Sequence, residues 1–144
     1  MITSKLTGVL LALSTVTPIT FQVLNNEPPV DIRPIEFDGV ARSGAAIAMP
    51  LAGKGRSDCP AEVQQSFTDS AGVVTNYSPA EMAFVGVFHG EPQFLRVYVP
   101  NDAASGRGVY AVSFIFRCNL VQEALPAVKT YYSTIEVERI PKNE

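Results

Sequence analysis

The sequence predicts an all-β sandwich behind one N-terminal apolar helix, and three observations predict it. Residues 6–24 carry no charge. Beyond Ile35 the apolar residues recur at a spacing near two, and turn residues interrupt them about every 8 to 12 positions. The 144 residues leave roughly 110 for a folded body once the leader is set aside, which suits one domain with one core. The chain divides into an anchor at residues 1–26, a Pro-rich spacer at 27–34 and a sandwich at 35–144.

The anchor is first in the chain. A helix from Leu6 to Leu24 is about 28 Å long, close to the hydrocarbon thickness of a bilayer. Leu6 to Leu13 is strongly apolar; Ser14, Thr15, Thr17, Thr20 and Gln22 dilute the second half of the segment, and Pro18 kinks it. Such hydroxyls bond back to the helix's own carbonyls and are tolerated in lipid. A cleaved secretory signal, with Leu6 to Val16 as its apolar core, is the rival reading, and a buried helix of a cytosolic domain is a third. No Ala-x-Ala comes after the apolar core, which favours retention. Lys5 precedes the segment while Glu27 and Asp31 lie beyond it. The positive-inside rule then leaves the N-terminus cytoplasmic and sends the body to the periplasm or the cell exterior, as a single-pass membrane protein. Pro28, Pro29 and Pro34 make the next segment an extended spacer that holds the domain off the bilayer.

In the body, Ala45 to Met49 supplies an early strand that stops before Pro50. Ala61 to Thr68 and Val73 to Tyr77 flank Asp69-Ser70-Ala71-Gly72, a hairpin whose glycine takes positive φ. Met82 to Phe88 and Gln93 to Val99, joined by His89-Gly90-Glu91-Pro92, read as a second hairpin. The clearest strand is Val109 to Cys118, where Tyr110, Val112, Phe114, Phe116 and Cys118 alternate toward the core. Val121 to Leu125 allows one helical turn before Pro126, and Tyr131 to Arg139 is the last strand.

The two cysteines, Cys59 and Cys118, read as one disulfide, because an exported domain meets an oxidising compartment and no third cysteine competes. Their separation is like that of the inter-sheet bridge of immunoglobulin-type domains, so the body is expected to be an immunoglobulin-like β-sandwich. Two unpaired buried thiols are the alternative, and it would hold for a cytoplasmic domain.

The composition bears on function mainly by exclusion. A net charge of −3 and no basic arm argue against nucleic acid as a partner. The single histidine, His89, lies in a Gly-Pro turn, and no Gly-x-Ser-x-Gly elbow accompanies it, so an enzyme is not expected. One histidine and two paired cysteines cannot build an ordinary zinc site, and Asp58, Asp69 and Asp102 are too scattered for calcium. Gly53 to Ser57 lacks the glycine spacing of a phosphate loop. No cofactor is expected. Glu136 and Glu138 lie two apart on one strand face, a pattern that serves solubility more than acid–base chemistry. The candidate binding residues are Lys54 and Arg56 in one connection and Asn101, Asp102 and Arg107 in a small, polar loop read as flexible.

The chain combines Pro28-Pro29-Val30, a strand opening at Cys59-Pro60, Val99-Pro100 before a small-residue loop, and Arg117-Cys118-Asn119. In these motifs, and over nearly its whole length, it resembles a group of uncharacterised membrane-anchored, disulfide-containing β-sandwich proteins of phage and bacterial genomes. The resemblance implies the architecture and no activity. The expected function is a membrane-anchored extracytoplasmic module that binds or braces a protein partner, with a structural subunit of a virion or envelope assembly as the alternative.

Overall fold

A computed structural model describes residues 27, 28, 30–34, 39–55, 59–84 and 93–139. The predicted anchor at 1–26, Arg56 and His89 lie outside the described residues. Among those described, no helix is long and apolar enough to cross a membrane. The elements in chain order are β1 (Val30–Pro34), β2 (Val40–Arg42), β3 (Ala46–Gly55), β4 (Ala61–Thr68), β5 (Val74–Asn76), β6 (Ala80–Met82), β7 (Gln93–Tyr98), β8 (Gly106–Phe116), α1 (Leu120–Ala124) and β9 (Ala127–Glu138).

The strands form two sheets. One runs β1-β3-β7; the other runs β2-β9-β8-β4-β5, with β6 also on β4. The described strand pairs are antiparallel except β2 on β9. The all-β expectation is met, and the alternation of side chains explains the core. Tyr110, Val112, Phe114 and Phe116 of β8 are buried, as are Val63 and Phe67 of β4 and Ile135 and Val137 of β9. Ile47, Met49 and Leu51 of β3 and Leu95 and Val97 of β7 join them from the other sheet in one cluster. Phe84 packs edge-on against Phe114 with ring centroids 5.8 Å apart, and Phe114 meets Tyr131 at 6.2 Å. Pairs of this geometry add to the area they bury.

Two sequence expectations are altered. The early strand does not stop at Pro50: β3 continues to Gly55, because Pro50 stands where the strand changes partners. Residues Ala46 to Leu51 pair with β7, and Leu51 to Gly55 with β1. In an antiparallel ladder successive residues present their N–H to opposite sides, and the missing N–H of Pro50 faces away from β7, beyond the described β1 pairing that reaches Leu51↔Pro34. Next, the Pro-rich spacer enters the fold, since Val30–Pro34 is itself a strand. Prolines forbid helix there but are compatible with the edge of a sheet, and β1 is an edge among the described strands. The second predicted hairpin, Met82 to Phe88 with Gln93 to Val99, has its 85–92 portion outside the described residues; of its flanks, Ala80–Met82 (β6) pairs with β4 and β7 with β3.

The hairpin over Asp69 to Gly72 is present, with Ser66↔Asn76 to Thr68↔Val74 in register and Gly72 at φ +83°. Gly108 is required for a different reason: a Cβ there would meet the buried ring of Phe67. The Cys59–Cys118 disulfide is formed, with Cα atoms 5.8 Å apart. It does not bridge the two sheets, however. The ladder pairs Ala61 with Phe116, and two further steps in the same register set Cys59 opposite Cys118. The bridge therefore staples the ends of two neighbouring strands of one sheet.

Candidate functional site

The strand pair β4–β8 is held at both ends. At one end stands the disulfide. Asn119 caps α1 by accepting from the N–H groups of Val121 and Gln122, which a residue of its type does for the orphan donors of a first turn. Gln122, 1% exposed, accepts from the Cys118 N–H at 2.9 Å and donates to the Glu27 carbonyl at 3.0 Å.

At the other end Asp69 performs the corresponding task. One carboxylate oxygen accepts from the N–H groups of Ala71 and Val73 within its turn, and the other accepts from Ala104 at 2.9 Å. The Ala104 and Val73 N–H groups hold the carboxyl below its ordinary range, outweighing burial. Ser70 Oγ donates to the Ser105 carbonyl at 2.6 Å.

These contacts decide the status of the predicted binding residues. The 101–108 segment is no free loop. Ala103 is buried, Ala104 is tied to Asp69, and Gly106 onward is β8. Asn101 and Asp102 are exposed on a turn, with Asn101 against Gly44. Arg107 is exposed on β8, opposite Glu136. Lys54 lies near the opposite end of the domain, on β3 in register with Asp31. The structure thus separates Lys54 from Asn101, Asp102 and Arg107 instead of gathering them. Among the described residues no three His, Cys, Asp or Glu side chains stand together as a metal site.

What the structure does gather is the outward face of the six-stranded sheet. Strand register places Thr68, Val109 and Thr134 in one row, Ser66, Ala111 and Tyr132 in the next, and Gln64, Ser113 and Thr130 in a third. Val74 and Asn76 of β5 continue the first two rows. None of these residues is charged. Tyr132 is 71% exposed, Val74 57% and Val109 43%, while Ser113 and Thr130 bond to each other at 2.8 Å. The three rows on the three long strands alone span about 10 by 14 Å. Among the described residues charge returns only at the margins: Arg107 and Glu136 at one end, and Glu62, Glu81 and Arg117 at the other. There the Arg117–Glu62 ion pair, 2.9 Å long, borders an open depression of about 430 Å³ beside the disulfide. Bonds from Gln64 and then Arg117 lower the Glu62 pKa.

A search for binding residues among loops misses this face. The sequence nonetheless carries a signal for it: the outward positions of β8 and β9 from Val109 to Ile115 and from Val128 to Thr134 contain no charged residue, Lys129 standing in register with the inward Phe114 instead. Compared with known proteins, the chain matches no family model and no curated sequence.

Proposed function

We propose that the chain is a membrane-anchored, extracytoplasmic binding or bracing module without catalytic activity, encoded by a phage or bacterial genome. Its body is read as an immunoglobulin-like β-sandwich. Strands β1, β3 and β7 correspond to the A, B and E strands of that architecture, and β4, β8 and β9 to C, F and G. The disulfide agrees with an oxidising compartment, and residues 6–24 supply the transmembrane helix. The N-terminus is then cytoplasmic and the domain periplasmic or extracellular.

The observation that carries the binding role is the uncharged outer face of the large sheet around Tyr132. Depletion of charge and an exposed aromatic are the compositional marks of an interface core, and tyrosine offers contact area at low entropic cost. A photo-crosslinking residue placed at Tyr132 in the full chain should yield a discrete adduct with an envelope or virion protein in cells. The same probe at Ala71, on the turn beyond β4, should not. Equal or absent adducts at the two positions would remove the binding role.

The structural-subunit reading draws on a separate observation. Among the described residues, β9 is paired on its outer side only at Glu136–Glu138, by β2. Val128 to Thr134 therefore presents backbone groups that another strand could join. Concentration-dependent sedimentation of the detergent-solubilised chain separates this reading from a monomeric binder.

A further inference from the structure

We propose that the domain rests directly against the bilayer that holds its anchor, with the α1 turn as the lipid contact. The inference builds on the membrane-anchor reading and adds an orientation to it. Leu24, the last residue of the apolar stretch, is three residues before Glu27. A chain of that length reaches at most about 10 Å. The Glu27 carbonyl is in turn held at 3.0 Å by the fully buried Gln122 in the middle of α1. The anchor therefore leaves the domain at the α1 end, and no spacer intervenes, because the chain is already part of a sheet from Val30.

The same turn exposes what a lipid surface accepts. Leu120 is 77% exposed and Leu125 65%, with Ala124 also exposed between them. Single exposed leucines are ordinary on protein surfaces, but two on one short helical turn and its cap, within reach of a membrane helix, form an apolar tip aimed where the bilayer must lie. Glu123, exposed on that turn, limits the depth: the leucines reach the headgroup–acyl boundary while the carboxylate stays among the headgroups. The far end, with Asp69 and the turn at Ala71, then points away from the membrane. The uncharged face stands upright along the membrane normal, where a partner can approach it from the side.

The chain contains no tryptophan, so Leu120→Trp gives a unique fluorophore. The full-chain variant, in vesicles of phosphatidylethanolamine and phosphatidylglycerol, is compared with Leu125→Trp and with Ala71→Trp at the other end of β4, about 25 Å away. Lipids brominated high on the acyl chain should quench positions 120 and 125 roughly two-fold or more and leave position 71 unaffected, as expected for a contact at that depth. Flotation of the same samples reads the anchor separately. If the chain floats with the vesicles but positions 120 and 125 remain as water-exposed as 71, the orientation is overturned and the anchor stands. If the chain does not float, both fall.

Discussion

The two ends of the β4–β8 pair are fastened by different chemistry to the same effect. At the end that carries α1 a covalent bond joins Cys59 to Cys118. At the opposite end the Asp69 carboxylate ties the β4–β5 turn to the segment before β8 through three N–H groups. The first fastening is indifferent to pH and vulnerable to reductant. The second is indifferent to reductant and vulnerable to acid. Two interior strands of one sheet, already joined by eight residue pairs, would still fray at their ends, and the clips close that route. A domain clipped in these two ways suits a compartment that is oxidising and close to neutral.

Removing the core that both ends share should have the largest effect. Phe114 is fully buried and meets Phe84 and Tyr131, so Phe114→Ala should cost up to about 5 kcal/mol in urea unfolding and leave the ends indistinguishable. Opening the disulfide clip comes next. With a sequence separation of 59 between its cysteines, the bridge contributes about 4 kcal/mol on the chain-entropy account. Reduction, or Cys59→Ser with Cys118→Ser, should remove that amount equally at neutral and mildly acidic pH.

The Asp69 clip is sharpened by titration. Because the Asp69 pKa is lowered in the folded state, its contribution is fully present above the unfolded value of about 3.9 and is lost as pH falls through the lower folded value. Asp69→Asn should therefore destabilise the protein at neutral pH and flatten the loss of stability below about pH 4. Some acid dependence should survive in the variant, because the Glu62 pKa is lowered too. Amide exchange at Ala104 should rise in Asp69→Asn and stay unchanged on reduction of the disulfide.

Two smaller effects test what lies between the ends. The buried hydroxyl of Tyr110 has no hydrogen-bond partner among the described residues, and burial, with Tyr77 nearby, pushes its phenol well above the ordinary range. Tyr110→Phe should stabilise by about 1 kcal/mol, since an unmet buried polar group is removed without loss of volume. Tyr132→Asp, on the uncharged face, should change stability by less than about 0.5 kcal/mol while abolishing the adduct formed by a crosslinking residue placed at Val109 on the same face.

The sequence is most informative where structure is local. Asp69-Ser70-Ala71-Gly72 announces its hairpin through turn chemistry, and the alternation from Tyr110 to Phe116 announces β8, because both signals need only neighbouring residues. Sheet membership is not legible, since alternation says which side of a strand is buried and nothing about which strand lies beside it. For that reason cysteine spacing suggests a bridge between sheets although register places it within one. The candidate site is obscured similarly. Lys54 and Asn101 look alike as loop residues, and only the fold sets them at opposite ends. The uncharged face is assembled from strands far apart in sequence, so no single window displays it. Asp69 is recognisable as a turn residue; its bond to Ala104, 35 residues away, depends on packing that no local pattern encodes.

The central claim is that the folded body resides in an oxidising space beside a membrane. It is tested most directly by acid-quenching cells that express the full chain, alkylating under denaturing, non-reducing conditions, and weighing the protein from the membrane fraction. The account predicts an intact chain that gains no alkyl group before reduction and two after it. Two alkyl groups gained without reduction, or a chain recovered only from the cytosolic fraction, would contradict it.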